Sequence, residues 1–273
     1  MVKNIHYKQT LFCSIVMLLF FAAACKKESA TSYSALPVVE AYLMPNTKVE
    51  VRISLQKQLV DTNAYGTAIT GLTLQISDGS TTKTLTEDKA GHYVLDEPAY
   101  VKSKGTYSLS FTYNGLPVSA STTVPDKPSA VSISADTVTI PKMVFGTDPT
   151  AFIPVYVNWS NTAANNHIVV FRYQETWKSL ISSRFNTDTV TSVEVNAVKA
   201  STYELTERIF KYYGRYMVIL MRVNQEYLDM LNSSSTSSQN LTNAPTNVTN
   251  GLGIFTAMEA DTLASRLLVK AED

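Results

Sequence analysis

Cysteine and histidine are scarce in this chain of 273 residues, which contains only two cysteines and three histidines. Cys13 lies inside an apolar N-terminal run, so a chain that loses this run can form neither a disulfide framework nor a cysteine-based metal site. Charged residues are also sparse, at 17%, and 23 basic residues balance 23 acidic ones. Without a basic excess or a basic stripe, the sequence does not favour nucleic-acid binding.

The N-terminus has the three-part layout of a secretory signal peptide. Two lysines give a positive start, an apolar run over 11–24 follows, and three alanines stand directly before Cys25. The apolar run is shorter than the roughly 20 residues that a membrane span needs. We therefore expect a signal peptide over residues 1–24. The alternative is an ordinary secreted protein that is cut near Ala24.

The position of Cys25 predicts a lipid anchor. Small residues before a cysteine at the end of an apolar run resemble a lipobox, after which the cysteine thiol receives a diacylglycerol, although Ala22 stands where leucine is usual. Burial of acyl chains such as palmitate contributes ~0.8 kcal/mol per CH₂, so two or three chains hold a protein stably on a membrane. Cys25 is the predicted lipidation site, and residues 25–35 form the predicted flexible tether.

Alternation of apolar and polar residues predicts antiparallel strands through the first half of the chain. Residues 49–55 and 107–113 alternate, and Asn114-Gly115 is a favoured hairpin turn. Several short strands with regular turns predict an immunoglobulin-like or transthyretin-like antiparallel sandwich over residues 36–124.

The second half, residues 125–273, combines strand patterns with one helix pattern. Tyr216–Val223 is nearly all apolar, which predicts a central strand buried on both faces. Gln225–Leu231 is the predicted short helix, with Asn224 as its N-cap. We therefore predict a chain that is mainly β, with a second β-rich domain that includes a short helix.

No sequence motif identifies a catalytic centre. The chain lacks the G-x-S-x-G elbow of serine hydrolases, the P-loop and the glycine pattern of dinucleotide-binding folds. His92 and His167 are too few for a zinc site, and we expect both at the surface or at a strand edge. The prediction is a protein that is not an enzyme, with no metal and no cofactor. Scattered carboxylates leave a glycan hydrolase open as the enzymatic alternative.

Aromatic side chains are the candidates for a binding surface, since sugars and peptides stack on exposed rings. Trp177, Tyr212 and Tyr213 are the predicted binding residues, and Trp177 is the strongest of them because polar residues flank it. The alternative is that the aromatic residues of this half fill a core, which their positions inside strand patterns favour.

Short motifs follow one another in a specific order along the mature chain. They are Val38-Val39-Glu40-Ala41-Tyr42, Ile76-Ser77-Asp78-Gly79, Gly91-His92-Tyr93, Gly105-Thr106-Tyr107, Asn224-Gln225-Glu226-Tyr227, Pro245, Asn247 and Gly251-Leu252-Gly253-Ile254-Phe255. This order resembles the domain of unknown function 4249 family, lipoproteins of Bacteroidota. The family has no established activity and supplies no catalytic residues.

The resemblance also implies a setting, because members of the family often occur beside TonB-dependent outer-membrane transporters. It implies an uncharacterised lipoprotein of the cell envelope, lipid-anchored at the outer membrane and facing either the periplasm or the surface. Its expected role is that of a non-catalytic binding or accessory protein for such a transporter. An envelope enzyme or a structural surface component is the alternative.

Overall fold

The computed structural model describes residues 35–57, 65–141, 151–181, 190–234 and 245–272. The predicted signal peptide and the lipidation site Cys25 lie outside these residues. The described chain is mainly β with one short α-helix, which confirms the predicted fold class.

The described residues contain nineteen strands, one α-helix and one 3-10 turn at Glu207–Ile209. In chain order they are β1 Pro37–Leu43, β2 Val49–Leu55, β3 Gln75–Ser77, β4 Thr82–Thr84, β5 Thr86–Lys89, β6 His92–Leu95, β7 Thr106–Tyr113, β8 Leu116–Thr123, β9 Ser129–Ile133, β10 Thr137–Ile140, β11 Val155–Ser160, β12 His167–Tyr173, β13 Ser179–Leu180, β14 Ser192–Asn196, β15 Thr202–Leu205, β16 Tyr212–Val223, α1 Gln225–Ser234, β17 Val248–Thr249, β18 Leu252–Thr262 and β19 Leu267–Ala271.

These strands form three sheets. The main sheet has the order β10-β19-β16-β18-β1-β2-β6-β5; off this path, β12 and β13 pair with β16, and β14 pairs with β12. The other two sheets have the orders β17-β8-β7-β3-β4 and β15-β11-β9. At twelve residues, β16 is long enough to pair β19 and β18 along one edge and β13 and β12 along the other.

Two hydrophobic cores lie on one face of the main sheet. The first packs β1, β2 and β6 against the five-stranded sheet, with Val39 and Tyr93 on one side and Leu109 on the other. The second packs β12, β16 and β19 against the three-stranded sheet, and here Phe171 meets Val157. Directly paired residues point to the same side of a sheet, so the registers place both cores on the same face. Each core is therefore a sandwich, and the two sandwiches share one long sheet.

The strand β18 belongs to the second predicted domain by sequence, but it pairs with strands of both predicted domains. It pairs in parallel with β1 and antiparallel with β16. Its residues Phe255 and Ala257, together with Val248 of β17, pack in the first core. The division into domains over residues 36–124 and 125–273 stays a prediction, and a test of it would have to account for these shared strands.

A group of charged residues separates the two cores on this face. Arg222 of β16 lies opposite Glu259 of β18. The linker between the sheets adds Asp126, 3.6 Å from Arg222, and Lys127, 3.0 Å from Asp261. Glu259 is buried, and its Oε2 has no hydrogen-bond partner.

The helix α1 covers the opposite face of the main sheet. Leu228 is buried against Ile168, Val170, Val223 and Met258. Apolar residues recur at helical spacing along this segment, which gives the helix one buried face. The helix extends three residues beyond its predicted end, and its first turn follows β16 without a loop.

Candidate functional site

Trp177 is the most exposed large apolar side chain among the described residues, with 87% of its surface accessible. It lies in the segment 174–178, which interrupts the pairing of the β12 edge with β16. Tyr173 lies opposite Tyr216, and Ser179 lies opposite Tyr213, so five residues on one strand face only two on the other. The excess residues form a wide bulge that projects Trp177 into solvent.

The bulge is held in place by hydrogen bonds rather than by apolar packing. The hydroxyl group of Tyr173 shares its one proton between two carbonyl oxygens, those of Trp177 at 2.6 Å and Tyr213 at 2.9 Å. Glu175 Oε1 accepts from the backbone N–H and the guanidinium of Arg215, each at 3.3 Å. Gly214 has a φ of +135°, and a Cβ there would meet Glu175 Cγ at 2.8 Å. The backbone under the exposed indole is thus fixed on two sides.

The structure brings the three predicted binding residues to one corner but exposes them unequally. Tyr213 is half-buried, whereas Tyr212 is 3% exposed and packs its ring 5.1 Å from that of Tyr173. Lys178 lies over the Tyr212 ring at 5.6 Å. Tyr212 therefore belongs to the core, and the residues of the corner that reach the surface are Trp177, Tyr213 and Arg215.

This Trp177 corner, defined by Trp177, Tyr213 and Arg215, lies at the far end of the main sheet from Pro37. Val38 is level with Leu252 at the start of β18, and Thr262 near its end lies opposite Ile219. From there β16 continues toward Tyr213. At roughly 3.3 Å per residue, the register separates the corner from Pro37 by about 50 Å along the strands.

A pocket of about 280 Å³ lies nearer the other end, where α1 meets the start of β18. Several residues of the quoted motifs line it: Gln225, Glu226, Pro245, Asn247, Gly253 and Ile254. Sequence order alone gave no reason to place these motifs together. A small pocket with a mixed polar lining cannot be predicted from a sequence pattern.

The polar groups of this pocket mainly join the elements around it. Glu226 Oε1 accepts hydrogen bonds from the hydroxyls of Thr122 and Thr256, both at 3.1 Å. Asn247 binds the backbone of Phe255 through both its amide nitrogen, at 2.7 Å, and its amide oxygen, at 3.0 Å. Asn224, the predicted N-cap, donates from its side-chain amide to Thr122 at 3.1 Å.

The two carboxylates of the pocket stand on one helix, and each already accepts a hydrogen bond. The side-chain amide of Gln225 donates to Asp229 at 2.9 Å, and Glu226 accepts from the hydroxyls of Thr122 and Thr256. No cluster of three or more histidine, cysteine or acidic residues in the described part of the chain could hold a metal ion. The geometry is that of a structural junction between sheets and helix.

The two histidines differ in their surroundings. His92 is half-buried and pairs with Asp88 through Nδ1 at 2.5 Å. The expectation of an accessible His167 is wrong, because this side chain is 2% exposed. Its ring packs 5.6 Å from that of Trp159, and Nδ1 lies 3.1 Å from the carbonyl oxygen of Asn165. Burial lowers the pKa of His167, so the ring is neutral near pH 7.

The fold and these sites define a mainly β protein with two sandwiches that share one sheet, and with an exposed aromatic corner. Among the described residues, no helix is both long and apolar enough to span a membrane. The chain belongs to the DUF4249 family, a domain of unknown function whose model matches residues 30–264. This confirms the family resemblance. No curated protein matches the chain.

The comparison with solved structures gives only distant likenesses. One is an anomalous substructure of titin A168–A169, 9% identical, with 87% of this chain and 100% of that chain covered at a TM-score of 0.23. Another is a chimeric titin Z1Z2 functionalised with an exogenous KLER peptide from decorin, 12% identical, with 87% and 98% covered at 0.22. TM-scores this low do not show that either titin structure shares the fold of this chain.

Proposed function

We propose that this protein is a lipid-anchored, non-catalytic accessory protein of the outer membrane that binds a protein partner through the Trp177 corner. The partner that the setting of the family favours is a TonB-dependent transporter. The proposal has two parts, an anchor at Cys25 and a docking surface at the Trp177 corner.

The exposure of Trp177 on a fixed backbone is the observation that carries the docking part. An exposed indole contributes nothing to the core, yet the hydrogen bonds of Tyr173 hold its backbone in one place. Tryptophan, tyrosine and arginine are the residue types that dominate binding energy at protein interfaces. The corner offers one of each in Trp177, Tyr213 and Arg215, already ordered before a partner arrives.

The distance between the two ends supports a protein partner rather than the anchoring bilayer. Residues 25–36 can span at most about 40 Å when fully extended, at 3.3–3.6 Å per residue. The corner lies a further 50 Å or so along the strands from Pro37, at roughly 3.3 Å per residue. The corner is therefore remote from the start of β1, which favours a neighbouring envelope protein as its partner.

The docking part is tested by capture of the tagged protein from gently solubilised outer membranes. We expect a stoichiometric transporter to co-purify with the wild-type protein and to be lost with Trp177→Ala. The matched control is Ile153→Ala, because Ile153 is 79% exposed but lies outside the corner. Loss of the partner with both variants, or with neither, would contradict the assignment of the docking surface. A wild-type protein that emerges alone would remove the partner model altogether.

The anchor part is tested separately by mass spectrometry of the N-terminal peptide of the native protein. We expect the mature chain to begin at Cys25 and to carry two or three fatty-acyl chains. An unmodified Cys25, or a chain that begins elsewhere, would leave the protein secreted rather than anchored.

A further inference from the structure

The outer face of the five-stranded sheet contains a second, larger pocket of about 590 Å³. Its floor is formed by neighbouring positions of β7 and β8, where Ser110 lies opposite Ser119. One side is formed by the segment 71–73, which stands beside the sheet just before β3 begins at Gln75. This volume is within the range of small-molecule sites, about 300–1,000 Å³.

The side wall of this pocket is fixed from inside the protein. The backbone N–H of Gly71 donates to Glu87 Oε2 at 2.8 Å, and that of Leu72 donates to the Tyr93 hydroxyl at 3.2 Å. Tyr93 is fully buried, and its hydroxyl donates to the carbonyl oxygen of Ile69 at 2.8 Å. A buried side chain therefore holds the wall, so the pocket exists before any ligand enters.

The lining of the pocket carries hydroxyl and amide groups but no charge. Its polar side chains are Thr73, Gln75, Ser110, Thr112 and Ser119. The sheet face next to it continues in the same way, with Ser108 opposite Ser121 and Thr106 opposite Thr123. A hydroxyl both donates and accepts hydrogen bonds, and it loses little rotamer entropy when it is fixed.

We propose that this pocket binds a neutral oligosaccharide. The five polar side chains match the mixed donors and acceptors of sugar hydroxyls, and Pro117 and Leu72 supply apolar contact for the less polar face of a sugar ring. An anionic ligand would find no cation in the lining, so its charge would lose hydration without compensation. The proposal is independent of the Trp177 corner, since no residue is shared between the two sites.

The experiment is a screen of the detergent-solubilised full-length protein on an array of neutral and anionic glycans, followed by calorimetric titration of the best neutral glycan. Ser110→Lys places a long charged side chain in the pocket floor. Ser108→Lys is the matched control, because Ser108 lies on the same face of β7 and is also exposed but does not line the pocket. Thermal melting of both variants checks that the fold is kept.

We expect wild type and Ser108→Lys to bind the neutral glycan with affinities within twofold of each other. Ser110→Lys should weaken binding at least tenfold while melting within a few degrees of wild type. Three results would overturn the proposal: no neutral glycan is retained by the wild-type protein, anionic glycans are retained in preference, or both lysine variants lose binding equally.

Discussion

Gly253 lies at the point where β18 pairs with β1, and its replacement by alanine tests how closely the two strands must approach. The residue has a φ of +92°, and a Cβ built on it would be 2.1 Å from the carbonyl oxygen of Val39. Val39 is fully buried and is the register partner of Gly253. The carbonyl belongs to the backbone, so it cannot yield without moving β1.

The free-energy cost of Gly253→Ala has two parts. The left-handed backbone costs a residue with a Cβ about 1–2 kcal/mol. Displacement of the facing strand by an added carbon costs about 1–3 kcal/mol more, as for other overpacked sites. We therefore expect the free energy of unfolding to fall by about 2–5 kcal/mol in total.

Gly79 provides the matched control. Its φ is +86°, but nothing lies within 4 Å of an added Cβ, so Gly79→Ala measures the backbone part alone. The assay is urea unfolding followed by tryptophan fluorescence, in which the buried Trp159 reports on the second core. If the two alanine variants lose the same stability, the close approach of β1 and β18 does not constrain the fold and the reasoning is refuted.

Three further substitutions follow from buried polar groups. Burial lowers the pKa of His167, so on acidification the unfolded chain binds a proton before the folded chain does. The free energy of unfolding should therefore be fully retained above pH 6.5 and fall below it. His167→Gln should flatten this pH dependence in urea titrations between pH 7 and pH 5. Glu259→Gln should raise the free energy of unfolding by about 1 kcal/mol, because it removes a buried charge with an unpartnered oxygen; a loss of stability would mean that Arg222 already compensates it. Tyr93→Phe removes two hydrogen bonds and should cost about 2 kcal/mol in the same assay, whereas an unchanged midpoint would show that the wall at Leu72 is held by packing alone.

Local sequence patterns predicted the positions of the strands better than they predicted which strands pair with each other. The hairpin around Asn114-Gly115 matches β7 and β8, because alternation and turn chemistry are both local properties. Tyr216–Val223 falls inside the observed strand β16, which is central in the main sheet. The parallel pairing of β1 with β18 could not be predicted, since nothing local distinguishes strands that meet across most of the chain.

For the candidate sites too, local properties could be predicted from the sequence and spatial arrangement could not. The polar flanks of Trp177 predicted its exposure correctly, because a large apolar ring among polar neighbours has little core to enter. Tyr212 has the same residue type as its neighbour Tyr213, but alternation along β16 turns it inward. The pocket lined by Ser110 and Ser119 could not be recognised in one dimension, since solvent-facing serines on a strand look alike whether they surround a cavity or open water.

The parallel pair of β1 and β18 has a consequence for the order in which the chain is synthesised. Val38 is synthesised early, yet its partner Leu252 follows only after roughly 200 more residues. Until then β1 lacks one neighbour, and an unpaired strand edge invites the wrong partner. We expect the nascent chain to need a holding chaperone until β18 has been made, and truncations that remove β18 to yield aggregated rather than half-folded protein.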